Sequence, residues 1–185
     1  MPPPDSDLAL RVWDPFVRVF HWSLVSCVLV NFFVVDDGET LHQLVGYTAS
    51  ALVVARLVWG FVGSPHARFA DFFPTPARLR AHLAAIRAGR HDFQPGHNPL
   101  GALMMLALMT LVLALGLTGF LQTTDLFWGE EWLEELHAGL ATTLIALAGI
   151  HAAAAIVIGR LERVNLVGAM ITGIKRTRNG RVDVR

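Results

Sequence analysis

The chain has 185 residues, of which 54% are hydrophobic and 16% charged, with a mean hydropathy of +0.49. Its 15 Lys and Arg balance 15 Asp and Glu, so it has no net basic charge to recruit a nucleic-acid partner. These values exclude an ordinary soluble domain and point to a small integral membrane protein, with residues 1–185 forming one domain.

Residues 1–14 hold three prolines and three aspartates. No small-residue cleavage site follows the first apolar run, so the N-terminus does not read as a signal peptide and the first apolar run reads as a retained spanning helix. Four apolar segments then reach spanning length, about 20 residues for a hydrocarbon core of ~30 Å. They cover residues 16–35, 41–62, 100–121 and 133–159. None of them alternates in polarity, so the backbone groups must be satisfied within helices and not in a barrel. The predicted fold is all-α, an integral membrane four-helix bundle.

The connections are unequal. Residues 36–40 form a tight loop and residues 123–132 a short one, whereas residues 63–99 form a long, proline-rich segment. Within it, residues 76–90 place Leu79, Leu83 and Ile86 at helical spacing, with Arg78, Arg80, Arg87 and Arg90 on the polar side. That pattern reads as a short cytoplasmic amphipathic helix on the membrane surface, between helices two and three. An ordinary solvated loop helix is the plainer alternative. No internal repeat is visible.

Charge placement predicts the orientation. All 15 Lys and Arg lie in the N-terminal tail and first turn, in the long loop, in the C-terminal tail, or at Arg56 near the end of helix two. The two short loops carry Asp36, Asp37, Glu39, Asp125, Glu130, Glu131, Glu134 and Glu135 and no basic residue. The positive-inside rule then puts both termini and the long loop in the cytoplasm and the acidic loops outside, as expected for a bacterial inner-membrane protein.

Four histidines lie inside or at the ends of the apolar segments. Histidine is expensive in a bilayer, so a partner and a task are expected for each. His137 and His151 are 14 residues apart on helix four, which is about four turns and ~21 Å along one face. His42 opens helix two, level with His137. His21 lies 14 residues before Val35, hence ~21 Å below the outer surface and level with His151. The depths therefore pair His42 with His137 outside and His21 with His151 inside. Each pair suits bis-imidazole ligation of a haem iron. A zinc site would want three or four converging protein ligands, whereas haem supplies four nitrogens and needs two. The single Cys27 allows no internal disulfide, and the absence of CxxCH leaves any haem held without a covalent link.

Neighbouring residues support this reading. Gly46, four residues after His42, leaves room for a porphyrin edge, although membrane helices also use small residues simply to pack. Arg18 and Arg56 are candidates to pair with propionates of the inner haem; the alternative is snorkelling to the headgroups. His97 and Asn98, at the entry to helix three, are candidates to hydrogen-bond a quinone carbonyl. An Asn before Pro99 also reads as a helix cap, and that is the plainer account. His66, His82 and His91 read as ordinary surface residues, and Met104, Met105 and Met109 as packing residues. Helix three supplies no histidine and is expected mainly to close the bundle.

The segments RVWDPFVRVFHW (residues 11–22), LHQLVGY (41–47), GSPHARFADF (63–72), GHNPLG (96–101) and the LHAGLA and GIHA pair on helix four resemble the prokaryotic cytochrome b561 family. That family includes the b-type cytochrome subunits of nickel-iron hydrogenases. The resemblance implies a four-helix bundle with two haem b groups, ligated by His21, His42, His137 and His151. It also implies electron transfer between a quinone or quinol and a redox partner such as a periplasmic cytochrome c or a hydrogenase. Two other functions compete: a stand-alone quinone-linked oxidoreductase acting on a small substrate such as superoxide, and a haem-containing membrane anchor. The outer loops lack the positive funnel that superoxide would favour, and the C-terminal basic tail reads more simply as a topology signal touching anionic lipid.

Overall fold

The computed structural model describes residues 8–89, 96–162 and 164–177. Strand β1 (Leu8–Arg11) leads into helices α1 (Pro15–Phe33) and α2 (Thr40–Val62). A 3-10 turn (Pro65–Ala67), α3 (Phe69–Phe72) and α4 (Pro76–Arg87) follow, and then α5 (Pro99–Gln122), α6 (Glu131–Leu161), α7 (Leu166–Thr172) and strand β2 (Ile174–Thr177). Helices α1, α2, α5 and α6 are each long and apolar enough to cross a membrane. Their ends are set by local chemistry. Pro15, Pro76 and Pro99 open α1, α4 and α5, and the preceding Asp14, Thr75 and Asn98 accept a backbone N–H from the first turn. Helix α6 has 31 residues, about 46 Å of rise, and so outruns a ~30 Å hydrocarbon core.

The long helices meet at Phe20 of α1, Ala49 and Val53 of α2, Met109 and Val112 of α5, and Leu144 of α6. Large apolar side chains such as Val58, Phe61, Leu117 and Ile150 face outward, as a lipid-contacting surface requires. Close packing runs from α1 to α2, α2 to α5, and α5 to α6. Helix α6 makes no comparably extensive approach to α1 or α2 and is the least enclosed of the four.

The chain is mostly helical as expected, with one addition at the end away from the acidic loops. Strands β1 and β2 pair antiparallel, with Leu8 opposite Thr177 and Arg11 opposite Ile174. Four-residue strands joined across almost the whole chain leave no local periodicity to read. Beneath this ribbon, Val12, Trp13, Val17, Ala67 and Ala169 form a second apolar cluster. Helix α4 is present, but its buried residue is Ala85, while Ile86 is 41% exposed. Arg78 is not merely solvated, because its guanidinium donates to the carbonyls of Asp71 and Phe73. Arg90 and His91 lie outside the described residues.

Two contacts tie this end together. The Asp14 carboxylate accepts from the Val17 N–H (2.8 Å), from Trp59 Nε1 (3.0 Å) and from the Ser64 hydroxyl, joining the start of α1 to the end of α2. Gly173 ends α7 at φ +81°, and its carbonyl accepts from the backbone N–H groups of Val12 and Trp13. A Cβ there would lie 2.6 Å from the Trp13 carbonyl oxygen.

Gly173→Ala is therefore expected to destabilise the fold by at least ~1–2 kcal/mol from the left-handed backbone alone, seen as a lower melting temperature in detergent. For Asp14, burial pushes the carboxyl up, but the hydrogen bonds from Ser64, Val17 and Trp59 outweigh it and hold the group below its ordinary value. Its stabilisation is thus complete above the ordinary carboxylate range and fades as pH falls through the lowered value. Asp14→Ala should cost about 1–3 kcal/mol at neutral pH. The difference from wild type should narrow in melting curves recorded below about pH 4.

Candidate functional site

At the end of the bundle bearing the acidic loops, His42 sits in the first turn of α2 and His137 in the second turn of α6. Their ring centroids are 6.3 Å apart and their planes are tilted by 57°. A metal–imidazole bond of about 2 Å on each side accounts for roughly 4 Å of that separation, and two ring radii for the remainder. The spacing therefore admits one iron between the rings. Because α6 packs on α5 and not along α2, the two histidines face each other without their helices in close contact, which suits a flat macrocycle.

Each ring has its own surroundings. The His137 Nδ1 lies 2.8 Å from the Thr118 hydroxyl of α5. A Cβ on the adjacent Gly119 would be 3.3 Å from His137 Cε1, so the glycine lets the ring approach. The His42 Nδ1 is buried with no hydrogen-bond partner among the described residues, and the exposed Asp37 carboxylate stands 3.7 Å away. The His42 carbonyl accepts from Asn31 Nδ2 at 3.1 Å. The same Asn31 nitrogen would lie 3.4 Å from a Cβ built on Gly46.

At the other end, His21 of α1 and His151 of α6 lie within electrostatic reach of each other. His21 is half-buried and meets Trp22 edge-on, at 5.1 Å between centroids. Trp22 Nε1 in turn donates to the Met170 carbonyl of α7. Arg56 is only 1% exposed. Its Nη2 donates to the Ala67 carbonyl at 3.0 Å, and its guanidinium carbon stands 5.5 Å from the Phe69 ring centroid. The guanidinium is thus held inward and does not snorkel. Arg56 Nη1, Arg18 Nε and His21 Nδ1 are buried without hydrogen-bond partners among the described residues. Leaving a charged donor in that condition costs several kcal/mol. A group carrying propionates and a metal that takes imidazole would fit this donor set, the arginines holding the carboxylates and the histidines the metal.

His97 sits at the same end, 4.7 Å from Trp13 and 5.1 Å from Phe72 by ring centroids. Burial first, and then the charges of Arg56, His151, Lys175 and His21, push it down to about 3, so it is neutral at pH 7. Asn98 caps α5 through its side-chain oxygen, 2.7 Å from the Gly101 N–H. Phe72, Arg78, His82, Ala85, His97 and Pro99 line a cleft of about 290 Å³.

Thr118 and Gly119 are the residues that the histidine pattern alone misses, and they show that α5 does more than close the bundle. Thr118 lies four residues before the end of α5 and His137 six residues after the start of α6. The depth count that pairs the histidines would therefore also have found Thr118. The aromatic walls around His97, Trp13 and Phe72, come from two distant parts of the chain and leave no such signal.

The prokaryotic cytochrome b561 profile matches residues 12–173. A probable Ni/Fe-hydrogenase B-type cytochrome subunit of Rhizobium leguminosarum bv. viciae is 23% identical, over 89% of this chain and 88% of the relative. One of the same description from Azotobacter vinelandii is 22% identical, over 95% of this chain and 92% of the relative. No solved structure matches the chain. With a profile spanning nearly all of the bundle, four membrane-length helices and histidines facing one another between them, the chain belongs to the prokaryotic cytochrome b561 family, the multi-pass membrane b-type cytochromes that transfer electrons through haem b.

Proposed function

We propose that this protein is a di-haem cytochrome b that carries electrons across the bacterial inner membrane between the quinone pool and a redox protein. The observation that carries the reading is the 6.3 Å separation of the His42 and His137 rings. Bound haem supplies a one-electron ferric/ferrous couple at each site. His42 and His137 hold the outer group, and His21 and His151 the inner one. Arg18 and Arg56 offer their unpartnered nitrogens to the inner propionates. The hydrogen bonds and charges beside each pair, Thr118 at the outer level and Arg18 and Arg56 at the inner one, would contribute to setting the potential. Gly46 keeps the surface of α2 low beside His42.

Quinone binds beside the inner site, in the cleft below His97. A neutral imidazole can accept from a quinol hydroxyl or donate to a quinone carbonyl. Asn98 has committed its oxygen to the α5 cap, which leaves its amide protons for the same ligand. Both termini and α4 lie on the cytoplasmic side, where the basic residues gather. On the opposite side, the acidic loops favour the basic face of a redox partner, and salt weakens the encounter. The names of the two hydrogenase subunit relatives make a hydrogenase the first partner to test.

Single His→Ala variants test the arrangement by pyridine haemochrome assay and redox difference spectra. Each should lose about half of the bound haem, with His42→Ala and His137→Ala removing the same spectral component and His21→Ala and His151→Ala the other. If His21→Ala and His42→Ala removed one and the same component, the pairing would be wrong. His97→Phe should leave haem content intact. It should slow haem reduction by a soluble quinol about tenfold or more, the size of one lost buried hydrogen bond. An unchanged rate would move the quinone elsewhere.

A further inference from the structure

The Thr118 hydroxyl has three oxygen or nitrogen neighbours and a single proton to share. Its Oγ1 lies 2.9 Å from the Ala114 carbonyl, 3.2 Å from the Leu115 carbonyl and 2.8 Å from His137 Nδ1. The carbonyls can only accept, so a bond to either of them consumes the hydroxyl proton. Donation to the carbonyl four residues back is the habit of this bundle: Ser26, Thr48, Ser50, Thr110, Thr142 and Thr143 all make it. With its proton on the Ala114 carbonyl, Thr118 meets the imidazole with lone pairs alone. The short contact to Nδ1 is then a hydrogen bond donated by the ring.

We propose that Thr118 is a positioning residue that holds His137 as the Nδ1–H tautomer, so that the lone pair on Nε2 is turned to the iron of the outer haem. This rests on the bis-histidine reading of His42 and His137. Thr118 is 7% exposed, so its hydroxyl is shielded from water, and Gly119 keeps the α5 backbone clear of Cε1. The opposite arrangement, with the hydroxyl donating to Nδ1, would put the ring proton on Nε2 and block ligation. Among the described residues, His137 is the one histidine of the four whose ring nitrogen is held by a side-chain hydrogen bond. His21 Nδ1 and His42 Nδ1 are buried without one. The outer site is therefore built on a fixed ligand from α6 and a less constrained one from α2. A ligand imidazole that donates from its far nitrogen is more basic and favours the ferric state. Loss of that acceptor weakens metal-group binding by a factor of about 10–100 in comparable sites.

The test is potentiometric titration of the full-length protein in detergent, with haem affinity measured by reconstitution of the apoprotein. Thr118→Val keeps the shape and removes the oxygen. It should raise the midpoint potential of one haem, leave the other unmoved, and weaken binding of the same haem by about 10–100-fold. Thr118→Ser should restore both properties. Thr110→Val, which removes a similar helix back-bond away from the histidines, should change neither. The proposal is overturned if Thr118→Val retains wild-type potentials and affinity, or if Thr118→Ser fails to rescue, since packing of the methyl group would then be the cause. A His137→Ala protein that keeps both haems would overturn the ligand reading itself, and the role of Thr118 with it.

Discussion

A polar group inside an apolar bundle must find a partner, and most of this structure follows from how each group does so. The backbone satisfies itself by forming helices, because a hydrocarbon surrounding offers no alternative acceptor. Six hydroxyls within α1, α2, α5 and α6 then bond the carbonyl one turn back and remain on their own helix. Thr118 does the same and also reaches across to another helix. The buried polar atoms left without partners are different in kind. Among the described residues they are Nδ1 of His21, His42 and His97, Nε of Arg18, Nη1 of Arg56 and the Asn31 side-chain oxygen. They collect at the two levels where the histidines stand, which is where an iron, a propionate or a quinone would complete them.

The two ends are built to different specifications. At the acidic-loop end, short turns join the helices and the histidine pair sits close to the surface. At the basic end, the chain invests in tertiary structure: a two-stranded ribbon, a second apolar cluster, the Asp14 knot and a buried arginine. That investment encloses His97 between Trp13 and Phe72 and keeps it uncharged. Lys175, buried on β2, is likewise pushed below the ordinary lysine value by burial, with Glu162 opposing.

Much of this architecture is written locally. Hydropathy marks the four long helices to within two residues at either end, because an apolar run of that length has few other uses. Proline after Asp, Thr or Asn marks three helix starts. Counting residues from the loops assigns the histidines to two depths. What stays hidden is whatever joins distant parts of the chain. The β1–β2 pairing depends on contacts between the two ends of the sequence, and the packed face of α4 centres on the small Ala85 instead of the stripe of larger residues. Arg56 reads equally as a snorkelling or an inward-facing residue until α3 and the 3-10 turn close over it. A depth count sets Thr118 level with His137, but the packing of α5 on α6 that brings the two side chains together is not written in either segment.

The claim that the two histidine levels are two haem sites is tested most directly by haem stoichiometry. Purified protein, assayed by pyridine haemochrome against chain concentration from amino-acid analysis, should contain two haem b per chain, resolved as two components in a redox titration. Protein that is folded and binds no haem, or one component held at a single level, would contradict the account.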